Sequence, residues 1–152
     1  MPTLHPTAQR VAEGLAAAGL DVTVVEHDES SRTAEEAAAT AGCELGQIVK
    51  SLVFVDDAGP VLVLCAGDRR VDAAGLGLRR AKPDVVREAT GFAIGGVPPV
   101  GHKTKPVVLI EESLLDFDEI WAAAGTPNAV FRLTPSDLVE LTGGRTVAVA
   151  RK

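Results

Sequence analysis

Residues 48–66 read IVKSLVFVDDAGPVLVLCA and follow a strand–turn–strand pattern. Two runs rich in β-branched residues, 48–55 and 61–66, are separated by Asp56-Asp57-Ala58-Gly59-Pro60, a cluster of turn-forming residues. The pattern predicts an antiparallel hairpin with a long turn. Because both runs are strongly apolar, we expect this hairpin to form the centre of the sheet.

Lys50 is the one charged residue in the first of these runs. Side chains alternate between the two faces of a strand, so Lys50 shares a face with Ile48, Leu52 and Phe54. Because an unpaired buried ammonium group is costly, we expect its amine to lie at the mouth of the strand or to meet a hydrogen-bond acceptor. A lysine in an apolar strand can also extend to a sheet edge and remain in water, and the pattern leaves that interpretation open.

Helical and strand patterns alternate irregularly through the rest of the chain. Apolar spacing, capping residues and terminating glycines predict helices over residues 7–18, 33–42, 72–78, 83–90, 117–124 and 134–141. Short β-branched runs predict strands over residues 22–25, 106–111, 128–133 and 146–150. Hairpins mixed with helices indicate an α+β fold with a mixed sheet and no regular βαβ repeat.

Length and composition bound the class of protein. The 152 residues, 46% of them hydrophobic, suffice for a single domain spanning residues 1–152. Cys43 and Cys65 lack the spacing of a zinc site or a disulfide framework, so we expect two buried thiols and no metal. No signal peptide or apolar run of membrane-spanning length is visible, which predicts a cytoplasmic protein without a membrane partner. The scarcity of aromatic residues argues against a single-strand binder that stacks bases.

Charge is distributed unevenly. The chain has a net charge of −6, yet residues 69–105 hold eight basic and three acidic side chains. A basic segment on an otherwise acidic protein suits contact with a small polyanion such as an RNA end better than with DNA or any long duplex. The candidates for this contact are Arg69, Arg70, Lys103 and Lys105. The same residues could also be ordinary solvated helix faces.

The segment Gly95-Gly96-Val97-Pro98-Pro99-Val100-Gly101 precedes His102. Glycine lets the backbone approach a ligand closely, and proline fixes φ, so the segment predicts a stiff loop with exposed N–H groups. Such a loop can hold an anion or an oxyanion. It can also be a tight connection without a binding role.

Four short motifs, taken in order, resemble the YbaK/ProX family of aminoacyl-tRNA deacylases, which includes the editing domain inserted in bacterial prolyl-tRNA synthetases. They are Ile48-Val49-Lys50-Ser51-Leu52, Gly67-Asp68-Arg69-Arg70-Val71-Asp72, the Gly-Pro loop at 95–101, and Ala124-Gly125-Thr126-Pro127-Asn128. The resemblance covers roughly residues 20 to 150. It implies a single α+β domain with a strongly curved, largely antiparallel mixed sheet surrounded by helices. It also implies hydrolysis of the ester that joins a wrong amino acid to tRNA, without metal or cofactor, with tRNA and an aminoacyl-tRNA synthetase as partners.

The resemblance also assigns roles to residues. It implies that Lys50 contacts the terminal adenosine or its phosphate and that the loop from Gly96 to Pro99 lines the aminoacyl pocket. An aminoacyl ester is already activated, so positioning of water and loop N–H groups for the oxyanion can suffice. We therefore take Lys50 and Gly96 as the catalytic candidates, with Lys50 as an electrostatic clamp. The candidates for substrate binding are His27, Ser51, Gly95, Val97, Pro98, Pro99, Gly101 and His102.

Two histidines and two departures from the family pattern leave the substrate open. His27 stands where relatives often carry a histidine near the pocket, but it could equally cap nearby backbone. His102 could orient water or the substrate amine, or act indirectly. The cysteinyl-tRNA branch resembles Gly-Gly-Cys-Ser-Pro at the loop, where this chain has Val97 and Pro98, and editing domains often have Asn where this chain has Ser51. We therefore expect no transfer of cysteine specificity.

Two other functions fit the same residues. The domain could be a non-catalytic module that binds tRNA ends or a synthetase, in which case it binds tRNA in a salt-sensitive way without turnover. It could also hydrolyse another activated aminoacyl ester with the same loop.

Overall fold

A computed structural model describes residues 5–20, 22–26, 33–92, 97–100, 102, 106–126 and 128–148, and the backbone of 150–151. Four helices lie in this part of the chain: α1 (Pro6–Ala17), α2 (Ala34–Ala41), α3 (Pro83–Thr90) and α4 (Pro135–Thr142). Its strands are β1 (Val24–Glu26), β2 (Val49–Asp56), β3 (Gly59–Ala66), β4 (Arg70–Val71), β5 (Arg79–Arg80), β6 (Val107–Glu111), β7 (Ile120–Ala123), β8 (Ala129–Leu133), β9 (Arg145–Val147) and β10 (Ala150–Arg151).

The strands form one mixed sheet and two smaller antiparallel ones. The largest has the order β5-β2-β3-β6-β9, in which β2 is antiparallel to β5 and β3 whereas β6 is parallel to β3 and β9. A three-stranded sheet has the order β1-β8-β7, and β4 pairs with β10. A parallel bridge between Ile48 and Trp121 links the two larger sheets. The predicted α+β fold with mixed sheets is confirmed.

The predicted hairpin is confirmed, with a shorter turn than expected. Pairing of β2 with β3 runs from Val49 opposite Ala66 to Asp56 opposite Gly59, so two residues make the turn. The Asp56 carboxylate accepts the backbone N–H groups of Ala58 at 2.8 Å and Gly59 at 3.0 Å. This side-chain cap closes the turn so tightly that strand pairing continues through residues predicted as loop.

Two predicted helices are wrong. Residues 117–124 were expected to be helical, but 120–123 form β7, where Ile120 and Ala122 are buried and alternate with half-buried neighbours. Pairing with β8 on a half-buried sheet overrides the helix propensity of the alanines. Residues 72–78 contain one 3₁₀ turn, Ala74–Leu76, between β4 and β5. The other predicted helices are confirmed, and Thr33 caps α2 by accepting the N–H of Glu36 at 3.1 Å.

The central strand β3 separates the core into two clusters. Leu62, Leu64 and Ala66 face the larger cluster, while Val61, Val63 and Cys65 face the smaller one. All six side chains are at most 2% exposed, so β3 is buried on both faces, as expected for the centre of a sheet. Both cysteines are free; Cys65 is buried and Cys43 is half-buried, against the expectation of two buried thiols. None of the helices described here is long and apolar enough to span a membrane.

Candidate functional site

The site begins with a gap beside β2. β3 pairs with one edge of β2 along its whole length. On the opposite edge, the bridge from Ile48 to Trp121 lies at one end and β5 pairs with Phe54 and Val55 at the other. Within the described residues, no strand pairs with that edge from Val49 to Val53. Two cavities open into this gap.

The smaller cavity lies between α2, β2, β7 and β8. Its volume is about 230 Å³, and Thr33, Trp121 and Val130 contribute to its wall. Six of the described residues that line it are alanines: Ala34, Ala37, Ala41, Ala122, Ala123 and Ala129. Small side chains on facing elements leave room that larger ones would fill. The cavity is therefore mainly apolar and suits a small ligand group.

The larger cavity, about 440 Å³, lies between β2, β4, β5 and α3. Lys50, Arg70 and Arg80 line it together with apolar side chains such as Val53 and Val86. None of the described lining residues is acidic. Its walls thus combine positive charge with apolar surface, which suits a ligand that carries both negative charge and apolar surface.

The two cavities share Lys50, Ser51, Leu52 and Val97 as lining residues. A ligand that occupies both cavities would therefore contact these residues. Val97 comes from the predicted Gly-Pro loop, so the structure brings this part of the loop to Lys50. Ser51 and Val97 lie where the sequence placed substrate-binding residues.

Lys50 meets an acceptor, as predicted from its place in an apolar strand. Its ammonium group donates to the backbone carbonyl of Arg69. The turn that presents this carbonyl passes close to the residues before β2: a Cβ on Gly67 would overlap the backbone oxygen of Leu45. A glycine is therefore required at residue 67 for the turn to approach so closely. The amine is fixed at the border of the two cavities with hydrogen-bonding capacity to spare.

Cys65 lies directly opposite Lys50 in the hairpin. Burial raises the pKa of its thiol to about 11, and the nearby Lys50 ammonium offsets this only in part. The side chain is fully buried. At neutral pH Cys65 is therefore a protonated core residue and not a nucleophile.

Two hydroxyl groups at the smaller cavity lack partners. The oxygens of Ser51 and Thr126 are buried and form no hydrogen bond within the described part of the protein. Both residues line the smaller cavity. Thr126 directly follows Gly125, whose φ of +98° and close contacts with Thr7 and Val11 leave no room for a side chain. The turn thus holds Thr126 in a defined position.

The structure places His102 away from Lys50. His102 and Pro99 line a separate cavity with Val108 and Leu141. The Nε2 atom of His102 lies 2.6 Å from the carbonyl oxygen of Pro98, which can only accept, so Nε2 is the donor. Burial lowers the pKa of His102, and the hydrogen bond to Pro98 opposes that shift. A neutral imidazole behind the loop holds the backbone next to Val97.

The two arginines predicted to bind RNA, Arg69 and Arg70, line different cavities. Arg70 lines the larger cavity beside Lys50. The Arg69 side chain lies 3.8 Å from Asp68 and lines a different cavity that also includes Glu111. Six predicted site residues lie outside the described residues: His27, Gly95, Gly96, Gly101, Lys103 and Lys105.

Sequence reasoning did not assign three residues that line the cavities. Arg80 was part of the basic segment, and its position next to β2 depends on β5, which was not predicted. Trp121 was placed on a helix. Thr126 belongs to the motif at 124–128, but no role could be assigned to it from the sequence. A hydroxyl without a partner can be recognised only once its surroundings are known.

The described residues form an α+β domain in which a small, mainly apolar cavity adjoins a basic one. The chain matches the family model of the aminoacyl-tRNA editing domain over residues 28–141 and belongs to that family.

Relatives of known sequence or structure extend this result. A crystal structure provisionally described as a trans-editing enzyme for prolyl tRNA synthetase is 48% identical, with a TM-score of 0.93 over 99% of this chain and 100% of that one. The uncharacterized protein YwhH of Bacillus subtilis is 38% identical over 78% of this chain and 80% of its own. EbsC of Enterococcus faecalis, provisionally named a Cys-tRNA(Pro)/Cys-tRNA(Cys) deacylase, is 27% identical over 82% of this chain and 80% of its own.

Proposed function

We propose that the protein is a trans-acting aminoacyl-tRNA deacylase that hydrolyses the ester of mischarged tRNA in the cytoplasm. Membership of the editing-domain family supports the substrate class. The observation that carries the proposal is the junction of a small apolar cavity and a basic cavity at Lys50, Ser51 and Val97. The related structure described as a trans-editing enzyme favours prolyl-tRNA synthetase as the associated enzyme.

The two cavities match the two parts of a charged tRNA end. The aminoacyl group is small and fits the alanine-lined cavity of about 230 Å³. The terminal nucleotide carries a base and a phosphate, which fit the apolar walls and the positive charges of Lys50, Arg70 and Arg80. The ester that joins them then lies at the shared residues, beside the Lys50 amine.

Hydrolysis at this junction needs few groups. Water attacks the ester carbonyl, the bond to the ribose oxygen breaks, and the products are a free amino acid and a tRNA with its terminal hydroxyl restored. Lys50 stabilises the negative charge of the RNA end while its bond to the Arg69 carbonyl fixes the amine. The predicted oxyanion donor is the loop backbone at Gly96, in the manner of backbone N–H groups in other acyl-transfer enzymes.

The test measures release of amino acid from alanyl-, seryl-, threonyl- and cysteinyl-tRNA by the wild type and by Lys50→Ala. We expect the wild type to hydrolyse at least one of them and Lys50→Ala to lower kcat/KM by about 10²–10³-fold. Lys82→Ala, at an exposed lysine before α3, is the matched control and should retain activity. Unchanged turnover in Lys50→Ala would contradict the role of Lys50.

Two other outcomes would replace the proposal. Salt-sensitive tRNA binding without hydrolysis of any ester would make the protein a binding module. Hydrolysis of small aminoacyl esters that does not change when Arg70 or Arg80 is neutralised would make it a hydrolase of another activated ester.

A further inference from the structure

The smaller cavity contains polar groups that the side chain of an apolar amino acid cannot satisfy. The hydroxyl oxygens of Ser51 and Thr126 are both buried, both residues line the cavity, and neither oxygen has a hydrogen-bond partner within the described residues. Most buried polar side-chain atoms in proteins are hydrogen-bonded, so two unpartnered hydroxyls at one cavity indicate a missing ligand group.

The walls of the cavity indicate the chemistry of that group. None of the described lining residues is acidic, and Lys50 contributes a positive charge. A substrate side chain that carries an ammonium group would therefore be repelled and left without a counter-charge, whereas the α-amino group is common to every aminoacyl ester and does not distinguish one from another. A neutral hydroxyl both donates and accepts, so a hydroxyl on the substrate side chain can pair with the hydroxyl of Ser51 or of Thr126.

We infer that Ser51 and Thr126 select an aminoacyl group with a side-chain hydroxyl, so that seryl- or threonyl-tRNA is the preferred substrate. The inference rests on the proposed deacylase function. Selection arises because the methyl side chain of alanine offers the two protein hydroxyls no hydrogen-bond partner, whereas a site built for a substrate hydroxyl rejects the analogue that lacks it. A thiol is a weak donor and acceptor, which places cysteinyl-tRNA between the two.

The experiment compares kcat/KM for serine, threonine, cysteine and alanine esters carried on the same tRNA, so that the RNA contacts cancel. We expect the wild type to prefer the serine or threonine ester over the alanine ester by about ten- to a hundredfold. Thr126→Val, which removes the hydroxyl and keeps the shape, should lower that ratio by about tenfold, and Thr126→Ser should retain it. Ser51→Ala and Ser51→Thr form the equivalent pair.

A second measurement does not depend on activity. Because the Thr126 hydroxyl is buried and has no hydrogen-bond partner among the described residues, Thr126→Val should raise the melting temperature by about 2–4 °C. A lower melting temperature would show that the hydroxyl has a structural partner and would overturn the inference for this residue.

The outcomes separate this inference from the proposed function. If no ester is hydrolysed, both fail. If the wild type hydrolyses alanyl-tRNA as well as seryl-tRNA, the deacylase function stands and the inference is overturned. Equal losses on all four esters in the Ser51 or Thr126 variants would also overturn it, because the hydroxyls would then act on a group common to every substrate.

Discussion

The two cavities beside β2 differ in how their residues create space and charge. The smaller is lined by alanines from three separate elements, and its polar side chains other than Lys50 and Trp121 carry neutral hydroxyls. The larger is lined by two arginines and Lys50. Under the proposed function the two cavities have different tasks: the smaller would recognise a small group by shape and hydrogen bonding, and the larger would hold an anion by charge. Lys50 is the one charged side chain that both contain among the described lining residues.

Filling the smaller cavity should have the largest effect. Ala37 lines it from α2, whereas Ala39 on the same helix is exposed. Ala37→Leu should lower kcat on the preferred ester by about a hundredfold, because the ester carbonyl is displaced from its productive position. Affinity for uncharged tRNA, measured by filter binding, should change little.

Ala39→Leu is the matched control for that variant and should behave as the wild type. If both substitutions lower activity equally, the effect comes from α2 as a whole, and the smaller cavity is not where the aminoacyl group binds.

The border between the cavities depends on the turn at Gly67. A side chain there would overlap the backbone of Leu45, so Gly67→Ala should lower the free energy of unfolding by about 1–3 kcal/mol. Gly14→Ala is the comparison: a Cβ there meets no atom within 4 Å, and alanine favours the helix. Urea unfolding should show that Gly67→Ala is less stable, and Gly14→Ala more stable, than the wild type. Equal stabilities would mean that the turn adapts without cost.

Charge in the larger cavity can be altered without touching the smaller one. Arg80 lines the larger cavity, while its neighbour Arg79 forms an exposed ion pair with Asp57 at 3.1 Å. Arg80→Ala should raise KM for charged tRNA by about three- to tenfold with little change in kcat, since it removes binding common to ground and transition states. The slope of log KM against log salt should fall by about one.

Arg79→Ala should leave KM and the salt slope close to wild type, because an exposed ion pair contributes little. A change in amino acid preference in Arg80→Ala would break the proposed division between the cavities.

The smallest expected effect is on the pH dependence of stability and comes from His102, which contacts the Pro98 carbonyl in the Gly-Pro loop. Burial lowers the pKa of His102 below the ordinary 6.5. Between that lowered value and 6.5 the unfolded chain binds a proton that the folded protein does not, so stability falls as the pH falls through this window and is fully present above it. The variant His102→Gln replaces the imidazole by an amide, which can donate to the Pro98 carbonyl but does not titrate. We therefore expect this variant to lack this part of the pH dependence of stability. Thermal melts of both proteins from pH 7.5 to 5 would show it, and parallel curves would contradict it.

Much of the framework could be predicted from the sequence because its signals are local. The hairpin follows from two β-branched runs, and the ends of α2 follow from Thr33 and Gly42. β7 could not be predicted, because Phe117, Ile120 and Trp121 have a helical spacing, and only pairing with β8 makes the segment a strand.

The site was less predictable, for a different physical reason. Lys50 could be recognised because a charge in an apolar strand needs an explanation, and the expected acceptor exists. The cavities could not be recognised, because each combines residues from elements far apart in the chain. The position of Arg80 and the unpartnered hydroxyl of Thr126 depend on that assembly.

The gap beside β2 also bears on aggregation. An unpaired strand edge is a template on which another chain can add a strand, and natural sheets keep such edges short or covered. Among the described residues, the part of this edge that pairs with no strand spans Val49 to Val53, with the bridge to Trp121 at one end and β5 at the other. An incoming strand would have to end at both borders, so few backbone hydrogen bonds could form. The stretch therefore offers few backbone groups on which a second copy of the chain could add a strand.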